Sequence, residues 1–156
     1  MRELKCYTDG GYSHLKDVGA WGVCVITESE VLKTSGAEFH TTNNRMEMLA
    51  VLNGMRQCVP ILKNNRNINK LRIYSDSAYI VNCIKCKWYA NWILNGWKTS
   101  KGEDVKNPDL WKRILRGIQI FKQKGIEVEF EKVKGHSGDS FNEECDRLAK
   151  DAINKY

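Results

Sequence analysis

The chain has 156 residues, 42% of them apolar, and a formal net charge of +6; this length suits one compact domain and this composition excludes a disordered chain. No apolar run is long enough to span a bilayer, and the amino terminus enters a strand-like pattern at once. A cytoplasmic protein with neither signal peptide nor membrane span is therefore expected.

In chain order, residues 3–9 alternate as a strand toward a turn at Thr8-Asp9-Gly10-Gly11, where Asp9 reads locally as a turn residue. Trp21–Thr27 is β-rich and Val31–Phe39 makes a third strand, with breaks at Gly10-Gly11 and at residues 28–30. From Asn43 to Val59 apolar residues recur at helical spacing (Met48, Leu52, Met55, Val59), and Pro60 predicts the stop. Asn44 with Glu47 fits a capping box. Leu71–Ser75 is a short strand running into a helix that begins near Asp76, which fits an N-cap. A second helix holds Trp88 and Trp92, and a third runs from Pro108 to Gln123 with its proline in the first turn. Ile126–Val133 alternates as a strand, and a final helix carries Phe141, Cys145, Leu148 and Ala152 on one face. The order βββ-α-β-ααα-β-α predicts an α/β fold, a five-stranded mixed sheet flanked by helices. No repeat, low-complexity tract or linker interrupts it, so residues 1–156 read as a single domain.

Six cysteines, at 6, 24, 58, 83, 86 and 145, are expected to be reduced and mostly buried. Cys83-x-x-Cys86 has a metal-like spacing, but no second pair or nearby histidine completes a zinc site. The charge is uneven. Residues 83–116 hold eight Lys/Arg against three acids, which leaves only +1 for all the other residues. A concentrated basic segment suits a phosphate backbone, although a solvated charged face has the same composition.

Asp9, Glu47 and Asp76 each have an ordinary structural reading, whereas Asp146 lies mid-helix at the margin of an apolar face, where an unpaired charge is expensive. All four belong to elements that can meet at one end of the sheet. Carboxylates so clustered repel one another unless cations sit among them. Hard divalent ions, Mg²⁺ above all, meet that demand, and two of them about 4 Å apart serve phosphodiester hydrolysis.

The motifs Tyr7-Thr-Asp9-Gly-Gly11, Thr42-Asn-Asn-Arg-Met-Glu47, Tyr74-Ser-Asp76-Ser77 and Gly135-His-Ser-Gly138 followed by Asn142-Glu-Glu-Cys-Asp146 resemble the type 1 ribonuclease H family, in order, from Leu4 to about Ile153. The resemblance implies an endonuclease that hydrolyses the RNA strand of RNA–DNA hybrids by a two-metal-ion mechanism, leaving 5′-phosphate and 3′-hydroxyl ends. It implies that Asp9, Glu47, Asp76 and Asp146 hold two Mg²⁺ ions, which Mn²⁺ can replace, with Asp9 bridging both. It also implies that His136 assists proton transfer or product release, and that Asn43 and Asn44 read the RNA 2′-hydroxyls. Gly10 and Gly11 would let the RNA strand approach closely, since no Cβ intervenes. Cys83–Lys101 resembles the family's basic protrusion, which grips the DNA strand. There Trp88, Trp92 and Trp97 interleave with Lys85, Lys87, Lys98 and Lys101, so that rings can pack on sugars and bases while the lysines track phosphates. Trp97 is expected to pack between helices instead. Thr42 and Asn107 match two members of the family's DNA-phosphate pocket, but His40 stands where an arginine is common. A monomer is expected. Three other readings stay open: a ribonuclease H domain of a reverse transcriptase, a non-catalytic hybrid-binding module, and a transposase-like nuclease.

Overall fold

The computed structural model describes residues 2–133 and 140–156. Its elements are β1 (Glu3–Ser13), β2 (Val18–Ile26), β3 (Val31–Phe39), α1 (Asn43–Asn64), β4 (Lys70–Ser75), α2 (Ala78–Lys85), α3 (Trp88–Leu94), α4 (Pro108–Gln123), β5 (Glu127–Lys132) and α5 (Ser140–Asn154). The strands form one sheet in the order β3-β2-β1-β4-β5. The first three are an antiparallel meander, and β4 and β5 run parallel to β1. This is the mixed five-stranded architecture that the order of elements predicts.

Helix α1 packs across β1 and β2, and α5 packs across β1, β2 and β3. The central strand β1 is therefore covered on both faces. Its alternation gives way to a run of four consecutive buried residues, Cys6 to Asp9. β3, at the sheet edge, keeps a half-exposed alternation. The larger core lies between the sheet, α1 and α4, with Leu4, Val23, Met48, Leu71, Ile73 and Trp111 at 0% exposure. The second holds Tyr7, Cys24, Val133 and Cys145.

Four local expectations are corrected. Gly10-Gly11 is not a turn: β1 continues through it to Ser13, paired at Gly10↔Trp21 and Gly11↔Ala20. Helix α1 does not stop at Pro60 but runs on to Asn64. The proline leaves the Arg56 carbonyl without its helical partner, a cost set against burial of Leu62 further along the helix. The α1 N-cap is Thr42, whose side chain accepts from the Arg45 N–H at 3.1 Å, rather than an Asn44/Glu47 capping box. The α2 N-cap is Ser77, whose hydroxyl accepts from the Ile80 N–H, and not Asp76. Both acids are thereby released from capping. Pro108 does occupy the first turn of α4.

All six cysteines are free; only Cys86 is exposed. Burial pushes the Cys83 thiol up to about 12, away from the reactive thiolate form. No helix among the described residues is long and apolar enough to cross a membrane.

Candidate active site

The parallel ladder between β1 and β4 ends at Tyr7↔Tyr74. Asp9 and Asp76 each lie two residues beyond that last pair, so they emerge side by side where the two strands part. Such a crevice, outside the carboxyl ends of parallel strands, is where open α/β sheets bind ligands. Glu47 comes in from the first turns of α1. What brings it there is Gly10: a Cβ at that position would sit 2.4 Å from the Glu47 backbone nitrogen and 2.4 Å from the Met46 carbonyl carbon. Only a glycine lets α1 lie this close to β1. The space at Gly10 is thus taken by α1, not left for a nucleic-acid strand as expected, while Gly11 faces open space with nothing within 4 Å.

As a result Asp9, Glu47 and Asp76 each place a carboxylate oxygen within 4.8 Å of the others, a group that could hold a metal ion. Asp9 and Glu47 are both 5% exposed. Asp9 accepts from the Gly10 N–H at 2.9 Å. Nevertheless desolvation, then the charges of Asp76 and Asp146, push its carboxyl up to about 8. Burial, then the charges of Asp9 and Asp76, push Glu47 to about 10. No lysine or arginine is among the leading causes of either shift. The Glu47 Oε2 atom is buried without a hydrogen-bond partner. A buried carboxylate oxygen without a donor is costly, and a hard cation would remove the cost. The donor set is all oxygen, as Mg²⁺ or Mn²⁺ requires and zinc or copper does not.

Asp146 lies outside that tight group, with its side chain 45% exposed and its Oδ2 2.9 Å from Lys150 Nζ. It stands at the rim, near enough for its charge to raise Asp9. Helix α5 is seated by Cys145, whose thiol donates to the Tyr7 carbonyl at 3.3 Å, and by the close approach of Gly22 to the Cys145 carbonyl. Lys150 was not expected at the site, although its i+4 spacing from Asp146 was the available signal. His136 lies outside the described residues.

Thr42 is spent on capping, and Asn43 is exposed at the start of α1. Asn44 is half-buried, its amide 3.8 Å from Met48 Sδ. Asn107 has a left-handed backbone, φ +53, and its side chain makes no cap bond to α4. His40 is likewise left-handed, φ +52, with an 84% exposed side chain. Its Nδ1 pairs with Asp17, which also accepts from the Tyr12 hydroxyl. These two contacts hold the Asp17 carboxyl below its ordinary value. Neither Asp17 nor Tyr12 carried a sequence signal.

In the Cys83–Lys101 segment Cys83 lies in the core and Tyr89, Trp92 and Trp97 pack against it, whereas α3 fully buries none of its seven residues. Trp88 is 40% exposed. Trp92 is not a free ring: it packs on Trp97, Trp111 and Tyr79 at centroid distances of 5.7 to 6.5 Å. Trp97 packs as anticipated and carries Lys112 over its face at 5.2 Å. Lys85 pairs with Glu131 at 3.5 Å and Lys98 with Asp104 at 2.5 Å. Lys87 and Lys101 form no ion pair among the described residues.

Comparison with known proteins agrees with this geometry. The ribonuclease H of Syntrophomonas wolfei is 44% identical over 153 residues, 98% of this chain and 97% of that protein. That of Caldicellulosiruptor saccharolyticus is 41% identical over 153 residues, again 98% and 97%. Among solved structures, LC9-RNase H1, described as a type 1 RNase H with the type 2 active-site motif, superposes with a TM-score of 0.73 at 25% identity, covering 99% of this chain and 74% of that one. LC11-RNase H1 in complex with an RNA/DNA hybrid superposes at 0.66 and 20% identity, covering 97% of each chain, a likeness of fold. The RNase H family model matches residues 1–154. The chain belongs to the ribonuclease H family.

Proposed function

We propose that this single domain is an endonuclease that hydrolyses the RNA strand of RNA–DNA hybrids and leaves 5′-phosphate and 3′-hydroxyl ends. The observation that carries the reading is the convergence of Asp9, Glu47 and Asp76 around an unpartnered buried Glu47 oxygen. Asp9, Glu47, Asp76 and Asp146 would hold two divalent cations, Mg²⁺ or in its place Mn²⁺. When bound, these supply Lewis acidity and charge neutralisation to the scissile phosphodiester.

The chain's own groups do the rest. His136 relays the proton between the reacting oxygens and solvent, the work of a positioned imidazole. Asn43 and Asn44, at the open end of α1, donate to and accept from 2′-hydroxyls across the shallow minor groove of the hybrid. Gly11 leaves room for the RNA backbone beside Asp9. Lys87 and Lys101, with Lys85 and Lys98, draw the DNA strand along the protrusion, where Trp88 offers a face for a sugar or base. Trp92 supports that surface from behind. Thr42, Asn107 and His40 border a DNA phosphate, with His40 oriented by Asp17. The protein acts as a cytoplasmic monomer under this reading.

The test is a gel assay with a labelled RNA–DNA hybrid. Cleavage of the RNA strand in Mg²⁺ or Mn²⁺, none in excess chelator, and no cutting of duplex RNA are expected. Full activity in chelator, or equal cutting of duplex RNA, would overturn the reading.

A further inference from the structure

The C-terminal part of α1 and the length of α4 lie side by side and leave a groove between them, about 960 Å³ in volume. Its floor is aliphatic. Leu49, Leu52 and Val59 from α1 and Ile120 from α4 line it, none of them fully buried, and Ile120 is 39% exposed. At the bottom the helices touch, since a Cβ on Gly117 would meet Met55 Cε at 2.5 Å. The stripe from Leu49 to Lys63 follows the helix at 1.5 Å per residue, so the groove is roughly 20 Å long.

Its rim is entirely positive. Arg56, Lys63 and Arg66 stand on one side and Arg113, Arg116 and Lys124 on the other, all exposed, with no carboxylate among the lining residues. Among the described residues none of these six makes an ion pair. Arg72, by contrast, is partnered by Glu3, Glu129 and Glu131, and Arg147 by Glu144 and Asp151. Six such cations around one apolar trough repel one another and leave hydrophobic area wet. Both costs are relieved by a single kind of occupant, one that brings carboxylates to the rim and apolar side chains to the floor.

We propose that the α1/α4 groove docks a short acidic, amphipathic peptide segment of a partner protein, with two or three apolar anchors on the aliphatic floor and Asp or Glu side chains against the rim. A single-stranded nucleic acid fits less well, because base stacking needs exposed aromatic faces. The only aromatic ring in the lining, Phe121, is 6% exposed. The amphipathic mode is the helix-in-groove form of peptide recognition, with anchors at i, i+3 and i+7. This surface is distinct from the protrusion residues Lys85, Lys87, Lys98 and Lys101, none of which lines it.

The probe is a fluorescein-labelled 12-residue peptide with four Asp/Glu and three Leu/Phe at helical spacing, titrated with the full chain and read by anisotropy. Saturable binding is expected. It should weaken about tenfold or more in the Arg56→Ala/Lys124→Ala variant, as charge-pair truncation at interfaces commonly does. It should also weaken when the Leu/Phe of the peptide become Ser, and in Ile120→Ser protein. Hybrid cleavage by these variants should stay at the wild-type rate, which separates the groove from the active site. Four results would overturn the proposal: no binding of the peptide, equal binding by the Arg56/Lys124 variant, displacement of the peptide by uncleaved hybrid, or displacement by a uridine 12-mer that the same variant fails to bind.

Discussion

Replacing Asp9 by Asn should make the metal-free protein more stable while abolishing cleavage. The Asp9 carboxyl moves from 3.8 to about 8 on folding, through desolvation first and the charges of Asp76 and Asp146 next. For an acid, a folded value above the unfolded one means that the native state binds more protons, so stability falls as pH rises between the two values. The penalty is absent below pH 3.8 and complete above pH 8. At pH 7 the gap is a little over three pH units, which at 1.36 kcal/mol per unit sets a ceiling of about 4 kcal/mol. Asn keeps the size, loses the charge, and can still accept from the Gly10 N–H, but it remains a buried amide. A gain of about 2–3 kcal/mol is therefore expected, an increase in Tm on the order of 5–10 °C for a chain of this size. The assay is thermal unfolding by circular dichroism in excess chelator at pH 5, 7 and 9. The difference between variant and wild type should grow with pH, and saturating Mg²⁺ should narrow it by binding the native wild type. A variant no more stable than wild type at pH 9 would refute the account of the site as three mutually strained carboxylates.

Gly10→Ala should destabilise the fold by about 1–3 kcal/mol or more, because overpacking here pushes one backbone against another. Its loss of activity should exceed its loss of folded protein, since α1 carries Glu47; Gly11→Ala should leave Tm unchanged. The Lys87→Ala/Lys101→Ala pair should raise KM and flatten its salt dependence more than Lys85→Ala/Lys98→Ala, whose lysines are already engaged by Glu131 and Asp104. Removing one lysine from a phosphate lowers the salt slope by roughly 0.9 or less. Equal salt slopes for the two pairs would show that the protrusion does not discriminate in this way. His136→Ala should slow single-turnover cleavage by about 10²–10⁴-fold without erasing it; an unchanged rate would remove His136 from the chemistry.

The strands and α4 were legible because their signals are local: alternation in residues 126–133, a proline at the first turn of α4, β-rich runs between breaks. What escaped depended on partners far along the chain. Thr8-Asp9-Gly10-Gly11 has the composition of a turn, yet its first glycine is required by the backbone of α1 at Met46 and Glu47. Pro60 reads as a stop, but Leu62 in the core and Ile61 packed against it carry the helix past it. Asp76 and Ser77 are both good caps, and choosing between them needed the register of β1 and β4. That register sets Asp76 beside Asp9, and the Ser77 hydroxyl takes the helix end.

The basic segment shows the same limit in another form. Summed along the sequence, residues 83–116 make one cationic stretch and suggest one polyanionic partner. The fold divides it: Lys85, Lys87, Lys98 and Lys101 lie before α4 and outside the groove, whereas Arg113 and Arg116 turn with α4 toward Arg56 and Lys63 of α1 and Arg66 just after it. Helical periodicity already separates Arg113 and Arg116 from Lys112, which lies over Trp97 instead. Yet no window over the chain could pair them with cations on a helix that precedes β4. A one-dimensional charge count therefore merges two separate cationic surfaces, and what distinguishes them is the material between the cations: exposed indole at Trp88 in one case, aliphatic side chains in the other.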